Sequence, residues 1–336
     1  VTGDWVINFI FPNHQLPITN YQLPITNYQL PITNYQSPII NYQMTKTAWV
    51  FPGQGSQTLN MGMDLLDIAS AKAKFEEAEA ILGWSVSEIC QNDEARLSRT
   101  LYTQPCLYVI ESILADLLRE KGEKPDLVAG HSLGEYIALY VAGVFDWCTG
   151  LQLVKRRAEI MDNTAGGMMA ALLNFDREQL EKLIAETPDV VLANDNSPAQ
   201  VVISGTPEAL QTVMSNVKAK RALPLKVSGA FHSHLMQAAS QEFQEILDSI
   251  VFQTAEVPVS SNVDPVPTTD AEILKQRLTQ QMTGSVRWRE IALQLPEFGI
   301  TKVVEIGPGN VLTGLIKRTV DGVELKNIRN TGELPS

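Results

Sequence analysis

The run "DLVAGHSLGEYIALYVAG", Asp126 to Gly143, constrains the fold more than any other part of this chain. It sets Gly130-x-Ser132-x-Gly134 between an apolar stretch of strand length and an apolar stretch of helix length. A serine in that setting occupies a sharp strand-to-helix turn. An α/β fold is expected, with Ser132 as candidate nucleophile. Leu133 would open the helix, so its backbone N–H points at charge developing near Ser132.

The flanking sequence has the same character. "AWVF", Ala48 to Phe51, reads as a strand running into the turn "PGQGSQ", whose glycines suit either a second N–H donor for a bound group or simply a tight turn. "TQPCLYVIESILADLLREKG" reads as a helix with Thr103 as N-cap, Pro105 in the first turn and Gly122 at its end. From Met168 to Ser228 the order becomes βαββαβ, as in a ferredoxin-like unit inserted into the larger one. The expected organisation is a large catalytic subdomain over 44–167 and 229–320, a small ferredoxin-like subdomain over 168–228, and a C-terminal tail over 321–336.

Residues 15–43 are a tandem heptapeptide built on "QLPITNY". Each unit carries a proline and lacks helical spacing, and solenoid repeats run to about 20 residues or more. The seven-base word CCAATTA, read through three times, encodes Pro-Ile-Thr-Asn-Tyr-Gln-Leu, so a short DNA repeat accounts for it. Met44 is the expected start, with residues 1–43 a disordered tail or no part of the native protein.

The 336 residues carry a net charge of −12, which disfavours a whole-surface nucleic-acid or anionic-membrane binder. Cys90, Cys106 and Cys148 form no CxxC pair, and no apolar run reaches the ~20 residues of a membrane span. A cytoplasmic protein without metal or bound cofactor is expected.

A nucleophilic serine needs a base. The chain has four histidines: His14 in the N-terminal tail, and His131, His232 and His234 in the body. His131 adjoins the serine and should point away from it, which leaves His232 or His234. Arg157 stands out differently. Stepping 100° per residue from Leu151 along "TGLQLVKRRAEIMDN" puts it near about 240°, amid Leu153, Val154, Ala158, Ile160 and Met161. A buried guanidinium needs an anion, either an internal carboxylate or that of a substrate.

Together, "FPGQGSQ", "GHSLGEY", "LVKRRAEIM", "NDNSPAQVVISG", "GAFHSHLM" and "EIGPGNVLTGLIKR" resemble the malonyl-CoA:acyl carrier protein transacylases and the related acyltransferase domains of polyketide and fatty-acid synthases, over Met44 to about Arg318. The resemblance implies an α/β-hydrolase-like large subdomain and ping-pong transfer of malonate from malonyl-CoA to the phosphopantetheine thiol of acyl carrier protein. It implies Ser132 as the acylated nucleophile, His232 as catalytic histidine, and Arg157 as holder of the malonyl carboxylate. It further implies the amides of Gln54 and Leu133 as oxyanion hole, and the Gln281 carbonyl in "QQMTGSVRW" as the group orienting the histidine. Carrier proteins of this family are acidic, so Lys155, Arg156, Lys317 and Arg318 are candidates for a local basic patch. A stand-alone chain points to fatty-acid supply; a polyketide acyltransferase or a GxSxG thioesterase or esterase are the alternatives.

Overall fold

Alternation in the first strand sets the layers. Trp49 and Phe51 join one apolar core while Ala48 and Val50 join another, as expected for a strand buried on both faces. The computed structural model describes residues 45–227 and 229–335, so the heptapeptide repeat and Met44 lie outside the described residues. The strands, in chain order, are β1 (Lys46–Phe51), β2 (Leu127–Gly130), β3 (Met168–Phe175), β4 (Val190–Ser197), β5 (Gln200–Gly205), β6 (Ala219–Pro224), β7 (Val259–Ser260), β8 (Ile300–Ile306) and β9 (Glu324–Ile328).

Five of them form a parallel sheet in the order β7-β2-β1-β8-β9. The helices Thr100–Glu120, Gly134–Val141 and Trp147–Asp162 cover one face, and Trp288, Ile291, Leu312 and Ile316 pack on the other. The remaining four make an antiparallel sheet, β4-β5-β3-β6, with the helices Arg177–Glu186 and Pro207–Asn216 over a third core. That strand order is the ferredoxin-like one.

Register places the site. Phe51 and Gly130 are Cα partners, as are Ala129 and Ser260, so the chain leaves β1, β2 and β7 at one edge of the sheet. A Cβ on Gly130 would run into Gly134, and one on Gly134 into the Phe51 carbonyl, so both glycines are needed for the turn around Ser132.

Three expectations are corrected. The long helix begins at Thr100, with Arg99 as N-cap and Lys121 as C-cap, and Pro105 lies inside it. Thr103 does not cap it, because its hydroxyl donates to the Leu97 and Arg99 carbonyls. Strand β6 starts three residues earlier than "ALPLKV" suggests. Residues 324–328, read as part of a tail, pair with β8 as an edge strand whose mostly half-buried residues leave little alternation in the sequence.

The two sheets are joined through Asp195. Its carboxylate accepts from Arg177 at 2.8 Å and from Arg289 at 2.9 Å, and the Asp195 amide donates to the Val286 carbonyl at 2.9 Å. Removing it leaves two facing guanidiniums. Asp195→Ala is expected to lower stability in urea unfolding by about 1.5–3 kcal/mol; a change below about 0.5 kcal/mol would show that the junction does not depend on this clamp.

Candidate active site

Ser132 lies two residues beyond β2 and takes a left-handed backbone, φ 53°, just before the helix Gly134–Val141. Two side chains fix that peptide. Asn262 accepts from the Ser132 amide at 2.7 Å and donates to the Gly130 carbonyl at 2.6 Å, while Gln281 Nε2 donates to the Ser132 carbonyl at 2.9 Å.

Of the two candidate bases, His232 meets the serine, with Nε2 2.8 Å from Ser132 Oγ. Its Nδ1 lies 2.9 Å from the Gln281 carbonyl oxygen and 3.2 Å from that of Gly284. Carbonyls only accept, so Nδ1 carries the proton and Nε2 is free to accept from the serine. Burial, reinforced by the Arg157 charge, pushes the imidazole down to about 3, which leaves it neutral at pH 7. His234 instead stands exposed beside Asp189, and His131 points away from Ser132 to Asn196, at 2.8 Å.

Arg157 is 1% exposed, on the helix that Asp146 caps through the Thr149 amide. No carboxylate lies within 4 Å of it among the described residues. Its contacts are neutral: Gln104 Oε1 at 2.8 Å, Gln281 Oε1 at 3.1 Å and Ser132 Oγ at 3.1 Å, with the Tyr136 ring centroid 5.3 Å from Cζ. Its Nε, also buried, has no hydrogen-bond partner among the described residues. Burial pushes its pKa down, the direction expected of a cation held without a contacting anion.

These groups face a cavity of about 90 Å³. The large subdomain contributes Gln54, Gln104, Ser132, Leu133, Arg157 and His232, and the small one closes it with Met169, Val202 and Leu225. Neither the Gln54 nor the Leu133 amide has a protein acceptor among the described residues, and both residues line the cavity. The arrangement can deprotonate a hydroxyl, hold an anion beside it and offer amides to an oxyanion.

Gln104, Asn262 and Glu135 were not singled out from the sequence. Gln104 carried a usable signal, a polar side chain in the apolar run "QPCLYVI" that is fully buried, like Arg157. Asn262 carried none, since it reaches Ser132 through the pairing of β7 with β2.

The acyl transferase domain family model matches residues 48–334. A malonyl CoA-acyl carrier protein transacylase of Synechocystis is 62% identical over 291 residues, 87% of this chain and 99% of that protein. The Synechocystis malonyl-CoA:ACP transacylase crystal structure superposes with a TM-score of 0.85, covering 86% of this chain and 99% of that one. A polyketide-biosynthesis transacylase of Bacillus subtilis is 44% identical, over 80% of this chain and 96% of its own. A malonyl-transacylase solved in complex with a type II polyketide acyl-carrier protein is 37% identical with a TM-score of 0.82, over 86% of this chain and 97% of that one. With the elbow, the histidine and the buried arginine in place, the chain belongs to the acyl transferase family and, within it, to the malonyl CoA-acyl carrier protein transacylases.

Proposed function

We propose that this enzyme moves malonate from malonyl-CoA to the phosphopantetheine thiol of acyl carrier protein through an ester on Ser132. The observation that carries the site assignment is Arg157, a buried cation with neutral partners, one of them the nucleophile's own oxygen. A malonyl carboxylate supplies the missing anion, and the same contact sets the thioester carbon beside Ser132.

His232 takes the Ser132 proton as Oγ attacks the thioester, and the oxyanion rests on the Gln54 and Leu133 amides. The tetrahedral intermediate collapses, the C–S bond breaks, and coenzyme A leaves with the proton from His232. The carrier thiol then gives its proton to His232, attacks the ester, and Ser132 recovers the proton as it leaves. Each step moves a proton or an acyl group between atoms that side chains or substrates provide.

Retention of the ester until a thiol arrives separates this reading from a thioesterase. The apolar wall of Met169, Val202, Leu225 and Phe231 over the cavity supports it by limiting access for water. A role in fatty-acid supply is the simpler assignment, because identity to the Synechocystis malonyl CoA-acyl carrier protein transacylase, 62%, exceeds the 44% to the polyketide-biosynthesis transacylase of Bacillus subtilis. The cytoplasmic assignment is supported by three unpaired cysteines; no helix among the described residues is long and apolar enough to cross a membrane.

An acidic carrier needs a basic landing site on this acidic enzyme. Of the four candidates from the sequence, Lys155 donates to the Ile81 carbonyl and Arg156 pairs with Glu159 and Glu242, while Lys317 and Arg318 are exposed without ion pairs among the described residues. The edge strand β6 and the residues beside it add Lys218, Lys220, Arg221 and Lys226, all exposed and likewise without ion pairs, next to Leu225 of the cavity.

Intact mass after mixing residues 44–336 with malonyl-CoA should give a malonyl adduct that persists until carrier protein is added, and no adduct on Ser132→Ala. Prompt loss to water would make the chain a thioesterase. In Arg157→Ala, malonyl acylation should fall roughly ten- to a hundred-fold relative to acetyl, the size of one charge-assisted contact of about 1.5–3 kcal/mol; an unchanged ratio would make Arg157 structural.

Lys220→Glu with Arg221→Glu is expected to raise KM for carrier protein several-fold while adduct formation stays as in wild type. Unchanged carrier KM would remove β6 from the docking face.

The depressed pKa of His232 sets a pH dependence. Its neutral form persists in the folded protein as pH drops below the ~6.5 of a free imidazole, so kcat/KM for malonyl-CoA should stay level from pH 8 to 5.5. Because the unfolded chain binds that proton first, His232 makes folding stability decline as pH falls from about 6.5 towards 3. Removing the Arg157 charge should move the acid limb upward; a wild-type limb at 6.5 would contradict this reading of the site.

A further inference from the structure

Glu135 is 1% exposed, in the first turn of the elbow helix, and is absent from the cavity lining. A carboxylate buried to that degree is costly unless its contacts require it. Its Oε2 accepts from Gln281 Nε2 at 2.7 Å and from the Asn262 amide at 3.2 Å. Those two residues are the ones that clamp the Ser132 peptide, Asn262 at its N–H and Gln281 at its carbonyl.

Gln281 is where the site's parts meet. Its backbone carbonyl faces His232 Nδ1, its Nε2 serves Ser132 and Glu135, and its Oε1 accepts from Arg157. An amide can turn over and exchange its nitrogen and oxygen. Turned over, it would set NH₂ against the guanidinium and its oxygen against the Ser132 carbonyl. A backbone carbonyl alone selects the nitrogen, and Glu135 Oε2 beside it, which already accepts two N–H groups and so carries no proton, fixes the choice more strongly. A glutamine in its place could donate as well as accept and would lose that selection.

We propose that Glu135 is a positioning residue for malonyl selectivity: from behind the elbow it locks the Gln281 amide with its oxygen towards Arg157, and so holds the guanidinium in the orientation that receives the acyl carboxylate. It acts through Gln281 and touches no reacting atom. The inference rests on the reading of Arg157 as the carboxylate holder.

The test compares single-turnover acylation of Ser132 by malonyl-CoA and acetyl-CoA in wild type, Glu135→Gln, Gln281→Leu, the double variant and Arg157→Ala. Gln281→Leu keeps the backbone carbonyl that orients His232 and removes only the side chain. Expected is a fall of tenfold or more in the malonyl-to-acetyl rate ratio for Glu135→Gln, with KM for malonyl-CoA raised more than kcat is lowered. The double variant should match Gln281→Leu within about twofold, because a residue acting through a side chain has no effect once that side chain is gone. Equal losses for both acyl groups would reduce Glu135 to a structural role, and multiplying effects in the double variant would overturn its action through Gln281. Should Glu135→Gln fail to fold by circular dichroism, an unchanged ratio in Gln281→Leu overturns the proposal by itself. A ratio unmoved by Arg157→Ala sinks the underlying reading instead, whereas loss there without loss in Glu135→Gln sinks only the role of Glu135.

Discussion

The site depends on a guanidinium buried among neutral acceptors. Arginine keeps its proton in any protein setting, so burial cannot neutralise Arg157 as it neutralises a lysine or a histidine. Gln104, Gln281 and the Tyr136 ring hold it in place and, among the described residues, leave its charge without a contacting counter-ion. Two consequences follow: the cavity favours an anionic acyl group, and His232, already kept neutral by burial, is pushed further the same way by the Arg157 charge and stays able to accept a proton.

That electrostatic arrangement needs an elbow that does not relax. Ser132 and His232, the two groups 2.8 Å apart, both sit at positive φ, 53° and 58°, where a residue with a Cβ is strained by about 1–3 kcal/mol. The strain is held from outside the turn. Parallel pairing brings the ends of β1, β2 and β7 to one edge of the sheet, and the side chains just beyond them grip the Ser132 peptide. Gly130 and Gly134 permit the turn, and the sheet register that brings Asn262 to it keeps the nucleophile aimed at its base.

Legibility in the sequence follows the range of the interaction. The elbow and the ferredoxin-like order were readable because period and turn residues are local signals, and Arg157 was readable because one helical period separates an apolar face from a polar one. The start of the long helix was misread because Thr103, a good capping type, spends its hydroxyl on carbonyls behind it. Strand β9 escaped because an edge strand buries little of either face. Composition left His232 and His234 both open and the family resemblance chose His232; the contact with Ser132 gives that choice its physical reason, because His234 stands exposed beside Asp189. Asn262 and Glu135 are polar residues whose importance lies wholly in which distant backbone they touch.

The same constraint explains why a carbonyl, and not a carboxylate, backs His232. A carboxylate at Nδ1 would strengthen the base but would also stabilise the imidazolium, and the histidine would then begin to hold its proton before substrate binds. It would in addition give Arg157 a nearby anion to pair with, in competition with the malonyl carboxylate. The Gln281 carbonyl fixes the tautomer through a hydrogen bond without adding charge. The carboxylate that the site does contain, Glu135, is kept one residue removed, with the Gln281 amide between it and the guanidinium. A weaker base is the consequence, and it suffices because no amine is expelled: coenzyme A leaves as a thiol, and the Ser132 oxygen leaves as His232 returns its proton.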